Sequence, residues 1–220
     1  MADIPFLNPS VLTQLDLPIP NRIETPLTLE PLNLNRPYEP SKEIQAYRRL
    51  YGLDQLEGQF WQGYVKMPLF KLHVQVYQPV IDQIKGTVFL LHGYLEHSGI
   101  YQPIIRELLD QGFSVITYDL PGHGLSDGNA ASIQNFDHYQ QVLHAVHQYL
   151  RNADQLPKPW LGIGQSTGAA IWMHHLLEYA EQRKNPIVER VLLLSPLVRP
   201  AKSAWWHNSV GLEIIHRIKR

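Results

Sequence analysis

Residues 160–168 read W-L-G-I-G-Q-S-T-G, and this stretch decides the fold. Its first part is an apolar run typical of a strand, and its last part fits the pattern G-x-S-x-G. A helix is predicted over residues 166–183. A serine in a sharp turn between strand and helix raises its hydroxyl over the sheet edge, and flanking glycines leave room for the turn. The stretch therefore predicts a nucleophilic Ser166, supported by Gly164 and Gly168.

Two other interpretations of this turn stay open. The serine could be incidental in a glycine-rich connection. The spacing of Gly162, Gly164 and Gly168 also resembles a dinucleotide-binding fingerprint with one extra residue. Such a site needs an acidic side chain about 20 positions further on, at the end of the next strand. That position reads L-S-P over residues 194–196, so the dinucleotide interpretation is disfavoured.

Short predicted strands and helices alternate along the chain before and after the serine turn. Apolar runs predict further strands over residues 87–91, 113–118 and 188–194, of which the first and the last are expected to be buried. Alternating apolar and polar residues predict an antiparallel hairpin over residues 59–66 and 69–77. Helical spacing and caps predict helices over residues 42–51, 99–110 and 136–150. The order predicts an α/β fold, a mostly parallel sheet with helices on both faces and an N-terminal antiparallel hairpin.

The chain divides into three predicted parts. Residues 1–40 contain eight prolines and are expected to be an extended arm. Residues 41–197 form the α/β core, and residues 198–220 are expected to begin a cap. In that cap Trp205 and Trp206 would contact an acyl chain or simply pack within a helix.

Composition excludes several functions. The formal net charge is -1, so no basic surplus favours nucleic acid. The chain has no cysteine, which excludes disulfides, thiolate metal sites and a cysteine nucleophile. Its eleven histidines lack the spacing of metal ligands, so neither a metal nor a cofactor is predicted. His144 and His147 lie off the apolar stripe of their helix and are expected to be solvated. Apolar runs fall far short of the roughly 18 residues of a membrane span, and no signal peptide is evident, which favours a cytoplasmic location.

A second candidate feature follows the strand over residues 87–91. His92-Gly93-Tyr94 begins the next loop, where a serine hydrolase places one backbone donor of its oxyanion hole. We predict that the Tyr94 and Thr167 N–H groups form this hole, with His92 and Gly93 as loop support. The alternative is a plain strand-to-helix loop.

Another glycine-rich loop, residues 119–128, turns sharply after the next strand. Its His123 is a possible catalytic base. We interpret the loop instead as architecture beside the site.

Taken in order, these motifs resemble one branch of a known superfamily. The segments are H-G-Y-L-E-H-S-G-I-Y (residues 92–101), the loop over residues 119–128, the G-Q-S-T-G turn and L-S-P (residues 194–196). Over residues 60–200 the chain resembles the monoacylglycerol lipase and lysophospholipase-like, or serine aminopeptidase-like, branch of the α/β-hydrolases. The resemblance implies a serine that attacks carboxylic esters, typically lipid-like ones. It implies a small-molecule or lipid ester as substrate and is compatible with peripheral membrane contact.

The chain departs from that branch at four positions. Leu95 stands where glycine is usual, and Ile100 where arginine is common. Gln165 and Thr167 replace the usual histidine and methionine of the serine turn. These side chains surround the acyl pocket, so they affect the expected substrate more than the serine chemistry.

The acid and base of a catalytic triad are missing from the expected places. In this superfamily both follow the serine in the chain, but no aspartate occurs after Ser166. The later histidines are His174, His175, His207 and His216, and the later acids are Glu178, Glu181, Glu189 and Glu213. None is predicted on a loop after a further strand, so we expect the triad acid and base to lie outside this chain.

Three interpretations follow from the missing residues. The chain is part of a longer serine hydrolase that lacks the C-terminal part of the fold, or a natural non-catalytic binding module, or an enzyme with a rebuilt triad. The first would leave an unpaired sheet edge with uncovered apolar surface. The sequence makes no prediction about oligomeric state.

Overall fold

The computed structural model describes residues 29–197. Its elements follow in the order α1 (Lys42–Leu50), β1 (Gln59–Lys66), β2 (Lys71–Gln78), β3 (Gly86–Leu91), α2 (Gln102–Asp110), β4 (Phe113–Tyr118), α3 (Asp137–Leu150), β5 (Trp160–Gln165), α4 (Thr167–Glu181) and β6 (Arg190–Leu194). Short 3-10 turns occupy Leu53–Gln55 and Ser98–Tyr101. The second of these turns takes the start of the helix predicted from residue 99. The predicted alternation of strands and helices is confirmed.

The strands form one sheet with the order β1-β2-β4-β3-β5-β6. β1 and β2 form the predicted hairpin, and β2 also pairs antiparallel with β4. The pairs β4–β3, β3–β5 and β5–β6 are parallel. Connections between parallel strands require crossovers, which α2, α3 and α4 provide. The chain therefore has the predicted α/β-hydrolase type of sheet.

Helices cover both faces of this sheet because successive strand residues point to opposite sides. In β3, Phe89 and Leu91 join the core that contains buried residues of α3 and α4, whereas Leu90 joins the core that contains buried residues of α2. Val115 and Ile116 divide between the two cores in the same way in β4. The central strands are consequently buried on both sides, which holds their carboxyl ends rigidly.

The prediction that the last strand is buried is wrong. In β6, Leu192 is 53% exposed and Leu194 is 37% exposed. β6 pairs with β5 on one side, and no strand within residues 29–197 pairs with its other edge. A parallel strand needs cover on both faces, and this edge position does not provide it. The apolar run that predicted burial therefore lies on an uncovered surface.

Residues 29–40 lie along the β1 edge of the sheet. The Leu32 N–H donates to the Tyr64 carbonyl at 3.0 Å, and the Tyr64 N–H donates to the Glu30 carbonyl at 2.9 Å. A Cβ on Gly63 would lie 2.6 Å from the Leu32 backbone, so a glycine is required for this approach. The rest of the predicted arm, residues 1–28, and the predicted cap over residues 198–220, with Trp205 and Trp206, lie outside the described residues.

Candidate active site

Ser166 stands in the turn between β5 and α4, at the carboxyl edge of the sheet. Its backbone has φ 50° and ψ -107°, a region that non-glycine residues rarely occupy. Its N–H donates to the Leu194 carbonyl at 2.9 Å, and its carbonyl accepts from the Leu197 N–H at 3.1 Å. Such a conformation costs about 1–3 kcal/mol and persists only where the surroundings hold it. The end of β6 is thus one of the contacts that hold the serine turn.

The two glycines of the motif permit this turn by close approach. A Cβ on Gly164 would lie 2.5 Å from the carbonyl of Gly168, and a Cβ on Gly168 would lie 2.3 Å from the carbonyl oxygen of Leu91. Contacts this short leave no room for a side chain at either position. The start of α4 therefore lies directly against the ends of β5 and β3.

Thr167 is the first residue of α4 and is buried. The N–H groups in the first turn of a helix have no partner within the helix, and the helix dipole adds partial positive charge there. Negative charge that develops beside Ser166 would be stabilised at this helix end. The geometry suits the role predicted for the Thr167 N–H.

The peptide between Gly93 and Tyr94 is oriented by His92. The buried His92 ring accepts at Nε2 from the Leu120 N–H, at 2.8 Å, so Nδ1 carries the proton and donates to the Gly93 carbonyl at 2.7 Å. Burial lowers the pKa of His92 to about 4, which keeps the ring neutral. Since C=O and N–H point in opposite directions across a trans peptide, the Tyr94 N–H faces away from His92.

Neighbouring strands bring the two donor groups to one edge. β3 precedes His92, β5 precedes Ser166, and Leu91 pairs with Gly164 in the parallel ladder. The carboxyl ends of adjacent parallel strands form the crevice in which open α/β sheets bind ligands. Tyr94, Ser166 and Thr167 follow these adjacent ends.

The described histidines that follow Ser166 are engaged with α3 and with the loop before β6. His174 Nε2 lies 3.9 Å from Asp137 Oδ1, and His175 Nε2 accepts from the Ile187 N–H at 3.2 Å. Within residues 29–197, no hydrogen bond joins a histidine to the Ser166 hydroxyl. His207, His216 and Glu213 lie outside the described residues.

His123 is held by its own loop. Its Nδ1 donates to the Pro121 carbonyl at 2.9 Å, and its ring lies 5.5 Å from the His92 ring and 5.7 Å from the Tyr94 ring, between centroids. Through these contacts His123 packs against the rings of His92 and Tyr94, beside the Gly93–Tyr94 peptide.

Sequence reasoning missed a buried carboxylate network beneath the site. Asp119 Oδ1 accepts from the Ser98 N–H at 2.8 Å and from its hydroxyl at 2.6 Å, while Oδ2 accepts from the Leu125 N–H at 2.8 Å and from His73 Nδ1 at 3.0 Å. Burial alone would raise the pKa of Asp119, but the hydrogen bond and charge of His73 outweigh it and hold that pKa well below its ordinary value. A Cβ on Gly124 would lie 2.2 Å from this carboxylate, so the loop needs a glycine there, but that glycine does not reveal the partners of Asp119 in the sequence.

Leu95 has a left-handed backbone, with φ 61°, and its side chain is 48% exposed. This explains why glycine is usual at this position in the branch that the sequence resembles. We expect Leu95→Gly to raise the free energy of unfolding by about 0.5–1 kcal/mol, because relief of left-handed strain exceeds the entropic cost of glycine. Urea denaturation measures the change.

Leu69→Gly is the matched control for that substitution. Leu69 is 59% exposed in the β1–β2 turn and has no left-handed backbone. Its replacement is expected to lower stability slightly. Equal losses in both variants would show that Leu95 is not strained.

Neither a metal centre nor a membrane span is evident in the part of the chain that the structure describes. Within residues 29–197, no three histidine, aspartate or glutamate side chains are grouped to hold a metal ion. No helix in that range has the length and apolar character needed to cross a bilayer.

Comparison with solved structures shows the same fold. The carboxylesterase CesB (YbfK) of Bacillus subtilis superposes with a TM-score of 0.55 at 22% identity, covering 77% of this chain and 57% of that one. The naproxen esterase of Bacillus subtilis gives a TM-score of 0.54 at 21% identity, covering 80% and 61%.

Curated relatives are more similar in sequence, with identities of 26–31% over about half of this chain. Human monoglyceride lipase is 31% identical over 119 residues, which cover 52% of this chain and 36% of that protein. Caffeoylshikimate esterase of Arabidopsis thaliana is 30% identical over 112 residues, covering 50% and 34%. Phospholipase YtpA of Bacillus subtilis is 26% identical over 115 residues, covering 52% and 42%. The matched part of the chain thus spans less than half the length of these relatives.

The family comparison agrees with the geometry of the serine turn. The family model described as serine aminopeptidase, S33 (Hydrolase_4) matches residues 82–219, which is more than half of the chain. That match includes β3, the loop after it, the serine turn and β6. The chain therefore belongs to the serine aminopeptidase S33 family of α/β-hydrolases.

Proposed function

We propose that the protein hydrolyses carboxylic esters through an acyl-enzyme on Ser166. The observation that carries the proposal is the strained backbone of Ser166 between β5 and α4, enclosed by glycines that tolerate no side chain. In α/β-hydrolases the nucleophilic serine lies in such a strained turn at the edge of the sheet, held there by its surroundings.

The reaction needs two displacements at the ester carbonyl. The Ser166 oxygen bonds to the carbonyl carbon as its proton passes to a base, and the alcohol leaves with a proton when its C–O bond breaks. Water then bonds to the acyl carbon, the bond to Ser166 breaks, and a carboxylic acid leaves. The Tyr94 and Thr167 N–H groups stabilise the oxyanion in both displacements. The base and its acid come from outside the described residues.

The proposed substrate is a lipid-like ester, such as a monoacylglycerol or a lysophospholipid. The names of two relatives, a monoglyceride lipase and a phospholipase, support this class. The loop after β3 also carries exposed apolar side chains, since Leu95 is 48% exposed and Ile100 is 46% exposed. An acyl chain beside the oxyanion donors would cover such surface.

A second candidate is a binding module that lacks the acid and base. It is favoured by one observation, that His174 and His175 contact α3 and the loop before β6, away from the serine hydroxyl. Such a module would bind an ester or fatty acid in the same crevice without cleaving it.

A fluorophosphonate probe, which reacts with activated serines, separates the two functions. We expect labelling that Ser166→Ala abolishes completely, because the probe bonds to the serine oxygen. The test uses both the 220-residue chain and the product of the whole reading frame that encodes it. Labelling of the longer product alone would place the base and acid outside residues 1–220. Absence of Ser166-dependent labelling in both would refute the hydrolase and leave the binding module.

A further inference from the structure

The Gly93 peptide nitrogen is enclosed by polar side chains. Its N–H lies 2.8 Å from Glu96 Oε2 and 3.2 Å from the Tyr101 hydroxyl. A Cβ on Gly93 would lie 2.3 Å from Gln165 Oε1 and 2.7 Å from Glu96 Oε2. These side chains therefore contact the loop at the residue before the proposed oxyanion donor, Tyr94.

The Tyr101 hydroxyl connects this loop to the serine turn. It lies 2.6 Å from Glu96 Oε2 and 3.0 Å from Oε1 of Gln165, the residue before Ser166. The hydroxyl has one proton and two acceptors within reach, so it donates to one of them at a time and lies between the two. Burial raises the pKa of Tyr101, and the hydrogen bond to Glu96 raises it further, so the hydroxyl keeps its proton.

We propose that Glu96, Tyr101 and Gln165 form a bridge of positioning residues that fixes the oxyanion loop relative to Ser166. The proposal rests on the proposed function and deepens it, because it concerns the same site. Glu96 holds the Gly93 N–H, Tyr101 holds Glu96, and Gln165 ties Tyr101 to the nucleophile. None of the three needs to contact substrate.

The bridge matters because catalysis depends on small distances. An oxyanion donor acts when it lies about 2.7–3.1 Å from the developing charge. His92 orients the Gly93–Tyr94 peptide, but its hydrogen bonds run to Gly93 and Leu120, not to the serine turn. The bridge supplies a direct side-chain connection between the two halves of the site. In the bridge the side-chain amide oxygen of Gln165 contacts the Tyr101 hydroxyl, at the position where the resembled branch has histidine.

Amide resonances provide a test that requires no turnover. Tyr101→Phe and Gln165→Met each remove a polar link of the bridge with little change in shape. We expect both to shift the backbone amide resonances of Gly93 and Ser166 in the NMR spectrum of the 220-residue chain. Tyr149→Phe is the control, because it removes a hydroxyl that donates to the Leu32 carbonyl at the other end of the fold, and it should shift neither.

The rate of fluorophosphonate labelling provides the second measurement. Each single substitution is expected to slow labelling about tenfold or more, because a misplacement near 1 Å can cost even larger factors. Tyr101→Phe combined with Gln165→Met should be no slower than the slower single variant, since both break the same link. Glu96→Gln, which keeps an oxygen for the Gly93 N–H, should retain most of the rate that Glu96→Leu loses.

The two measurements separate the bridge from the proposed function. If neither the 220-residue chain nor the longer product is labelled at Ser166 but the Gly93 resonance responds to both substitutions, the hydrolase fails and the bridge stands. If labelling proceeds at the wild-type rate in both variants and Gly93 does not respond, the bridge is overturned and the hydrolase stands. Multiplicative rate losses in the double variant would also overturn the bridge, because they would show independent structural effects.

Discussion

Asp119→Ala is expected to lower the free energy of unfolding by about 3–5 kcal/mol, because each buried donor left without an acceptor costs about 1–3 kcal/mol. The carboxylate is fully buried and accepts from Ser98, Leu125 and His73. Its removal leaves two backbone N–H groups and an imidazole without their acceptor in the interior. The substitution also disconnects β2, the turn after β3 and the loop after β4, which meet at this side chain.

Two variants make that result specific. Asp127→Ala is the matched control, because the Asp127 carboxylate also accepts from a backbone N–H, that of Lys71, but the contact is exposed. We expect it to cost about 1 kcal/mol or less. Asp119→Asn keeps an oxygen that can accept from Ser98 and should fall between the two. Guanidinium denaturation at pH 7.5 measures all three, and a loss below 1 kcal/mol in Asp119→Ala would show that the network is dispensable.

The fold and the serine turn could be predicted because local rules determine them. Residues 160–168 combine an apolar strand with glycines whose spacing suits one kind of turn, and the structure shows why Gly164 and Gly168 admit no side chain. The strand at residues 87–91 is buried on both sides, as its continuous apolar run indicates. In both cases the deciding contacts lie close together in the chain or follow strand periodicity.

Long-range polar contacts could not be predicted in this way. His73 lies in a strand whose sequence pattern indicates only one half of a hairpin. No residue near it in the sequence indicates that its partner is Asp119, 46 positions away. The burial of β6 was mispredicted for a related reason. A run of apolar residues shows that a strand is able to pack on both faces. Whether the strand is exposed depends on which helices and strands lie beside it in the fold.

His144 and His147 were expected to be solvated, and this prediction is wrong because His144 packs against α4 and His147 packs against Trp160 of β5. His144 and His147 are half-buried, and burial lowers the pKa of both, that of His147 to about 4. The His144 ring lies 5.2 Å from that of His175, which is fully buried. His144 and His147 both follow residues of the apolar stripe of α3, so they lie at the boundary between its packed face and its solvent face.

The buried histidines predict a loss of stability in mild acid. Burial lowers the pKa of His175 and of His92 to about 4, from an ordinary 6.5. Between these two pKa values the unfolded chain binds protons that the folded chain does not bind. The stability contributed by the neutral histidines is therefore fully present above pH 6.5 and is lost as the pH falls toward 4. Each pKa unit corresponds to about 1.4 kcal/mol, so each fully buried histidine can remove about 3 kcal/mol. Asp119 adds its own loss only below the ordinary pKa of a carboxyl, 3.8, which separates the two effects.

Urea denaturation at several pH values between 7.5 and 4.5 tests this acid sensitivity. His175→Gln keeps an oxygen that can accept from the Ile187 N–H but cannot titrate, so its stability should fall less between these pH values than that of the wild type. Lys184, Arg151 and Lys158 add positive charge around the His144–His147 side of the interface, and Glu178 opposes it. These charges are unchanged in the variant, so they cannot account for a difference. His138→Gln, at the partly exposed start of α3, is the control and should follow the wild-type curve. If His175→Gln also followed it, protonation of the interface would not be what unfolds the protein in acid.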